Sequence, residues 1–228
     1  MNLKLLSTLA IQGALPALIA DFEQGSGIKA EVHFAPTNAL LERISAGEAA
    51  DIAFVTRSAA DDLAAKGVVI ADSISDIAVS HVGVAVKAGA AKPDISSVDA
   101  LKSSLLAAKS IAYSRIGASG VFFAKLIQRL GIADAVNAKA VITPGGFTGE
   151  VVARSEAELA VQQISELMQV SGLDIVGPLP PGAESITMFS AGVFSVSGQT
   201  DAAYRLIAAL RSPETGKALM AAGLQRPA

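Results

Sequence analysis

The chain has 228 residues, and its 18 Lys and Arg against 21 Asp and Glu leave a net charge of only −3. A charge this near neutral argues against nucleic-acid binding, because proteins of that class usually carry a basic domain or stripe. Hydrophobic residues make up 51% of the sequence, which is enough to bury a core and excludes intrinsic disorder. With no Cys and only two His, the chain cannot form disulfides, thiolate metal sites or a three-histidine metal site. We therefore expect neither a metal nor a cofactor.

The longest uncharged runs, residues 5–20 and 185–200, are shorter than the roughly 20 apolar residues that a membrane-spanning helix needs. We therefore expect no membrane insertion. The run after Lys4 resembles the apolar part of an export signal, although Pro16 and several polar residues interrupt it and no Ala-x-Ala site directly follows. Two localisations stay open: periplasmic if an export signal was trimmed, and cytoplasmic otherwise.

Short runs of Val, Ile and Ala alternate with helical segments along the chain. We predict strands over residues 3–9, 28–34, 51–55, 77–86, 110–113, 138–142, 159–162, 173–179 and 186–196. We predict helices over residues 10–24 (ended by Gly25), 38–46, 58–66, 97–108, 120–130, from about 147, 201–211 and 212–222. Strands that alternate with helices indicate βαβ units and an α/β fold with a largely parallel sheet.

The predicted elements form two similar βα series, joined by one long strand leading in and another leading out. Two strand crossovers are typical of a two-segment hinge. The sequence therefore predicts two lobes, residues 1–80 plus 195–228 and residues 81–194, with the ligand cleft between them. Each lobe is expected to be a mixed sheet flanked by helices.

In open α/β sheets, ligands bind beyond the carboxyl ends of strands, where helix N-termini offer unpaired N–H groups. Two such junctions in the first lobe carry hydroxyl or amide side chains: Ser7 and Thr8 after the first strand, and Thr37 and Asn38 after the second. These side chains are candidate hydrogen-bond donors to an anion. The alternative is that they are ordinary helix caps, since Ser, Thr and Asn are favoured there.

The third junction, residues 113–120, combines Ser114, Arg115 and Ser119 with two glycines. Arg115 is the one charged residue between Lys109 and Lys125, and a guanidinium fork matches a carboxylate bidentately. Ser119 is expected at a helix N-terminus. We predict that Arg115 binds the ligand; the alternatives are a surface arginine or one that forms a salt bridge between the lobes.

The fourth junction, residues 143–149, is rich in glycine and includes Gly145 and Gly146, so its backbone N–H groups could form an anion nest. It lacks the Gly-Lys-Ser/Thr ending of a nucleotide-binding loop, and a plain flexible turn is the alternative. Gln162 and Gln163 end another strand and are candidate amide donors. Arg57 is a weaker cationic candidate.

The residues show no spaced carboxylate pair of the kind that hydrolyses glycosides and no Gly-x-Ser-x-Gly nucleophile motif. Acyl transfer is therefore disfavoured. His33 and His81 lie alone within predicted strands, a position more typical of a structural role. No catalytic residue is assigned.

The ordered set of junctions resembles the type II periplasmic binding proteins, in the branch of the molybdate-binding proteins. The resembling segments are residues 3–15, 34–40, 44–51, 118–120, 130–132 and 212–223. The resemblance implies a two-lobed fold, joined by a two-segment hinge, that closes on a small anion. It also implies an ABC transporter membrane subunit as a possible partner.

Several positions of this chain differ from the molybdate-binding pattern, and these differences bear on which ligand the chain binds. On our alignment, one serine of the molybdate site falls on Ala10, the other on Thr37 or Asn38, and the tyrosine on Gln163. Arg115 has no counterpart there. A cationic side chain among neutral donors favours a small organic polyanion, a di- or tricarboxylate, over molybdate.

Segments such as residues 114–120 and 92–96 are similar to a sub-group of this branch that includes aconitate isomerase. That resemblance implies a second hypothesis, an enzyme that moves one proton between two carbons of an unsaturated tricarboxylate. A third is a ligand-sensing domain, although no helix-turn-helix segment accompanies it. All three imply a small anionic ligand and no nucleic-acid partner.

Overall fold

The computed structural model describes residues 2–227 and divides the chain into two compact units. Unit 1 contains the chain up to Ser80 and again from Thr187, and unit 2 contains His81–Ile186. The two connections between the units lie at these boundaries, within or at the end of a strand in each case.

The strands are β1 Asn2–Thr8, β2 Lys29–Ala35, β3 Ile52–Thr56, β4 Ser75–Lys87, β5 Ile111–Ser114, β6 Ala140–Thr143, β7 Leu159–Gln163, β8 Leu173–Pro178 and β9 Ile186–Val193. The helices are α1 Leu15–Ser26, α2 Thr37–Ser45, α3 Arg57–Ala65, α4 Val98–Ala107, α5 Ala118–Arg129, α6 Ala133–Asn137, α7 Gly149–Ala153, α8 Ile164–Leu167, α9 Thr200–Leu210 and α10 Gly216–Ala221. Short 3-10 turns cover Leu9–Ile11, Ala71–Ser73 and Pro213–Thr215.

The sheet of unit 1 has the strand order β2-β1-β3-β9, with β1 parallel to β2 and β3, and β9 antiparallel to β3. Successive residues of a strand point to opposite faces, so both faces must be covered when both sets are apolar. Leu5 belongs to the core on one face, with α1 and α9, and Leu6 to the core on the other, with α2 and α3. The parallel strands β1, β2 and β3 therefore end at one common edge.

The sheet of unit 2 has the strand order β4-β7-β5-β6, and β8 also pairs with β4. β5 is parallel to β6 and β7, whereas β4 is antiparallel to β7 and β8. Ile111 and Tyr113 belong to one core, with α4 and α5, while Ala112 belongs to the other, with α7 and α8. The ends of β5, β6 and β7 form the edge at which two of the predicted junctions lie.

The observed helix α1 differs from the predicted helix over residues 10–24. Residues Leu9–Ile11 form a 3-10 turn, and α1 begins at Leu15 with Pro16 in its first turn, where the missing N–H costs no helical hydrogen bond. It continues through Gly25 and ends at Gly27, whose φ of 72° supplies the left-handed C-cap. The sequence pattern located the helix but misjudged which glycine ends it.

Two further differences concern the ends of elements, and a third concerns two short helices. The predicted helix over residues 212–222 is a 3-10 turn followed by α10, and the predicted strand over residues 186–196 stops at Val193. The short helices α6 and α8 were not predicted, because four or five residues carry too little periodicity to be recognised. Among residues 2–227, no helix combines the length and apolar character that a membrane crossing requires.

Candidate functional site

The edge of unit 1 carries a buried group of hydroxyl side chains. The Thr37 Oγ1 donates to Thr8 Oγ1 at 3.2 Å, and Ser7 Oγ donates to the Thr8 carbonyl oxygen at 3.1 Å. All three residues are buried, while Asn38 is exposed on the first turn of α2. Neither Thr8 nor Pro36, the residues at the cap positions, makes a side-chain capping bond. The cap interpretation of Ser7, Thr8 and Thr37 is therefore wrong.

In unit 2, Ser114 ends β5 and shapes the loop that leads into α5. Its Oγ accepts hydrogen bonds from the backbone N–H groups of Ile116, at 3.2 Å, and Gly117, at 3.3 Å. A Cβ at Gly120 would lie 1.4 Å from the Ser114 carbonyl oxygen, so only glycine permits this approach. The first turn of α5, with buried Ser119 as its second residue, is thus packed directly against the end of β5.

Arg115 lies between this strand end and the helix, and its side chain is exposed. Among the described residues of unit 2 it makes no ion pair and no side-chain hydrogen bond, so the surface-arginine alternative stays open. The Arg57 guanidinium, by contrast, forms two ion pairs: its Nε lies 3.0 Å from Asp61 Oδ1, and its Nη1 lies 3.0 Å from Asp76 Oδ1. Of these two cationic candidates, Arg115 is the one whose guanidinium is available to an anion.

The segment between β6 and α7, residues 143–149, is called here the glycine loop. Gly145 and Gly146 have φ values of 152° and 75°, which favour glycine at both positions. Gln162 spans the loop: its Oε1 accepts from the Thr148 N–H at 2.8 Å and the Thr148 hydroxyl at 2.9 Å, and its Nε2 donates to the Gly146 carbonyl at 2.9 Å. The Gln162 amide therefore holds the loop, and its role as a ligand donor was wrongly predicted.

Two further polar side chains lie at the same edge. Thr143 pairs with Ser114 across β5 and β6, and its buried Oγ1 has no hydrogen-bond partner among residues 2–227. Gln163 is buried at the end of β7 and is the N-cap residue of α8. Because strand side chains alternate, Gln163 and Gln162 point to opposite faces of the sheet.

Glu166 is a buried carboxyl that the sequence analysis did not single out. Burial raises the pKa of Glu166 to about 8, while hydrogen bonds from the Gln162 side chain and the Gln163 backbone act to lower it. Glu166 is the third residue of α8, whose N-cap is Gln163, and its burial follows from the packing of this short helix.

The histidines show no sign of a metal site. The His33 Nε2 lies 3.3 Å from the Glu31 Oε1; His33 is half-buried and Glu31 is exposed, and His81 is half-buried on β4. Over the described range, residues 2–227, no three His, Asp or Glu side chains are close enough to hold a metal ion. In the part of the chain that the structure describes, the polar groups of these edges are hydroxyls, amides, backbone N–H groups, the exposed Arg115 guanidinium and the buried Glu166 carboxyl.

Two α/β units with mixed sheets, connected twice and carrying neutral donors at strand ends and helix N-termini, are the fold of the type II periplasmic binding proteins. Within this class, the model of one bacterial family matches residues 3–225 of the chain. The chain belongs to the bacterial extracellular solute-binding protein family.

Similar proteins include an aconitate isomerase from Pseudomonas sp., which is 38% identical over 98% of this chain and 87% of that protein. Among solved structures, the periplasmic molybdate-binding protein of Azotobacter vinelandii matches with a TM-score of 0.83, at 18% identity over 99% of this chain and 100% of its own. The sulfate-binding protein SubI of Mycobacterium tuberculosis matches with a TM-score of 0.74, at 17% identity over 98% of this chain and 86% of its own. At these identities the two structures establish the fold.

Proposed function

We propose that this chain binds a small tricarboxylate and interconverts cis- and trans-aconitate. The observation that carries the proposal is the 38% identity to an aconitate isomerase, which extends over 98% of the chain and 87% of the relative. Identity at this level over nearly the whole length is far above the 18% and 17% shared with the two solved structures described above. Isomerisation, the second of the hypotheses drawn from the sequence, is therefore the leading function.

The composition of the unit 2 edge supports a carboxylate ligand. Arg115 offers a planar guanidinium with no competing carboxylate, and charge-assisted bidentate bonds to carboxylates are the strongest hydrogen bonds of this kind. The first turn of α5 adds N–H groups and the positive end of a helix dipole. These groups suit an organic polyanion, whereas an inorganic oxyanion is adequately bound by neutral donors alone.

The reaction itself requires no cofactor. A base removes a proton from the carbon next to the double bond, the double bond shifts by one carbon, and a proton returns to the far carbon. No atom is gained or lost and no electron leaves the substrate. The protein must stabilise the negative charge that spreads onto the neighbouring carboxylate, and positioned donors such as Arg115 and helix N–H groups are suited to this.

The second candidate is a binding component that delivers a polycarboxylate to the membrane subunit of an ABC transporter. The membership in the extracellular solute-binding family and the likeness to periplasmic binding proteins favour it. On this hypothesis the mature chain acts outside the cytoplasmic membrane, and the same edge binds the same ligand class without turnover.

Proton NMR in D₂O distinguishes the two candidates. The chain is incubated with trans-aconitate at a catalytic ratio, and the vinyl resonances of both isomers are followed for hours. The isomerase predicts growth of the cis resonances and deuterium incorporation at the reprotonated carbon. Saturable binding of trans-aconitate without any cis isomer would contradict the isomerase and favour the binding component.

A further inference from the structure

Unit 1 contains a polar pocket whose lining includes none of the buried hydroxyl side chains described above at the edge of that unit. The pocket has a volume of about 360 Å³, and the charged residues that line it are Arg57, Arg211, Arg226 and Asp76. We propose that this pocket, called here the arginine pocket, binds an inorganic phosphate ion. It is a second anion site, and it does not depend on the tricarboxylate site proposed for unit 2.

Asp76, near the start of β4, is held in the pocket wall by two neighbours. The Arg57 Nη1 donates to both carboxylate oxygens, at 3.0 Å to Oδ1 and at 3.1 Å to Oδ2, and the Ser190 hydroxyl donates to Oδ1 at 2.6 Å. The Arg57 Nε also donates to Asp61 Oδ1 at 3.0 Å, so the charge of Arg57 is already compensated. These contacts occupy three of the roughly four acceptor sites of the Asp76 carboxylate, which can therefore accept one more hydrogen bond.

The Arg226 side chain is fixed at the opposite wall. Its Nη2 donates to the Arg211 carbonyl oxygen at 3.2 Å, and its stem packs on Gly216, where a Cβ would lie 3.2 Å from Arg226 Cδ. The preceding residue, Gln225, exchanges two backbone hydrogen bonds of 2.8 Å with Val79 of β4. The guanidinium is thus positioned before any ligand binds, which lowers the entropy lost on binding.

Arg211 and Arg226 supply the uncompensated positive charge of the pocket. Both residues are exposed, and neither forms an ion pair with a described residue of unit 1. A guanidinium has five N–H donors, and the bond to the Arg211 carbonyl uses one of those of Arg226. Two planar guanidinium groups beside one pocket match the geometry of an oxyanion, whose charge-assisted hydrogen bonds to arginine are strong.

The Asp76 carboxylate determines which oxyanion fits. A fully ionised anion is repelled by this carboxylate, because two acceptors meet and neither has a proton to donate. Inorganic phosphate keeps an O–H group at neutral pH, so it can donate to Asp76 while its other oxygens accept from the arginines. Sulfate, phosphate esters in their dianionic form and ionised tricarboxylates lack such a proton. The pocket therefore favours inorganic phosphate over these anions.

Calorimetric titration with phosphate at neutral pH tests the site, with sodium chloride added to keep the ionic strength constant. Arg211→Gln and Arg226→Gln are each expected to weaken phosphate binding at least roughly tenfold, because each loses charge-assisted hydrogen bonds. Arg205→Gln is the matched control: Arg205 is an exposed arginine of α9 that does not line the arginine pocket, and its replacement changes the net charge equally. This control is expected to bind phosphate as the parent does.

The location of the ion is decided by the same titrations. The site is overturned if phosphate shows no saturable binding to the parent, or if Arg205→Gln loses as much affinity as the two pocket variants. Loss of phosphate binding in Arg115→Ala, with Arg211→Gln and Arg226→Gln unaffected, would place the ion at the unit 2 edge and overturn the site as well.

Sulfate and glycerol phosphate, titrated into the parent in the same way, test the role of Asp76. Each is expected to bind at least roughly tenfold more weakly than phosphate, since neither brings a proton to the carboxylate. Equally tight binding of sulfate or of the ester would overturn the assignment of inorganic phosphate as the ligand.

Discussion

Replacing Glu166 by Gln should change the way in which the stability of the protein depends on pH. The pKa of this buried carboxyl is raised to about 8 in the folded chain, against 4.5 for the free side chain. Between these two values the folded state binds the proton more tightly than the unfolded state. The stability contributed by the neutral carboxyl is therefore complete below about pH 4.5 and is lost as the pH rises toward 8.

The magnitude follows from the difference between the two pKa values. At about 1.4 kcal/mol for each pH unit, the full interval corresponds to a ceiling of about 5 kcal/mol. Structural relaxation around the ionised carboxyl lowers this figure, so we expect a loss of about 2 to 5 kcal/mol. In Glu166→Gln the side chain is neutral throughout, so the variant should gain this amount relative to the parent between pH 4.5 and 8.

Urea unfolding followed by far-ultraviolet circular dichroism, at half-unit pH steps, measures this difference. The control is Glu158→Gln, which removes an exposed carboxylate from the same strand region and should track the parent closely. A constant difference between parent and Glu166→Gln across the interval would refute the reasoning, because it would mean that Glu166 ionises normally in the folded chain.

Three further substitutions test the packing and the assignment of the cations. Gly120→Ala should unfold or severely destabilise unit 2, because its Cβ would lie 1.4 Å from a backbone oxygen. Gly25→Ala, whose Cβ would have nothing within 4 Å, should instead stabilise α1 by up to about 1 kcal/mol. Thermal melts of the two variants and the parent measure both effects. Arg57→Ala breaks exposed ion pairs and should lower the free energy of unfolding by less than about 1 kcal/mol. It should leave the tricarboxylate affinity unchanged in calorimetric titration. A loss of affinity like that of Arg115→Ala would refute the distinction between the two arginines.

Most of the fold could be predicted from the sequence because its central strands, β1, β3, β4, β5, β7 and β9, are largely buried on both faces. Such strands appear as short continuous apolar runs, and helices separate them at regular intervals. The position of Ser119 in the first turn of a helix was predicted correctly for the same reason. The start of α1 was not, because the residues before Leu15 are as apolar as the helix itself and offer no capping side chain.

The candidate site was predictable only where its residues lie at strand ends. The placement of Ser114 and Arg115 could be predicted directly, because β5 ends at Ser114. The role of Gln162 does not, because its partner Thr148 lies 14 residues earlier and the amide could equally have pointed to a ligand. Glu166 was missed because a carboxylate on a short helix is normally exposed, and only the three-dimensional packing shows that this one is buried.

The central claim, that Arg115 and its neighbours at the unit 2 edge bind a small tricarboxylate, is tested most directly by a thermal-shift panel. Parent, Arg115→Ala and Arg205→Ala are melted with trans-aconitate, citrate, molybdate and sulfate. Arg205 is the control because it is an exposed arginine of unit 1 and its replacement gives the same change in net charge. We predict that the tricarboxylates stabilise the parent and Arg205→Ala but not Arg115→Ala. Stabilisation by molybdate or sulfate, with no response to either tricarboxylate, would contradict the claim.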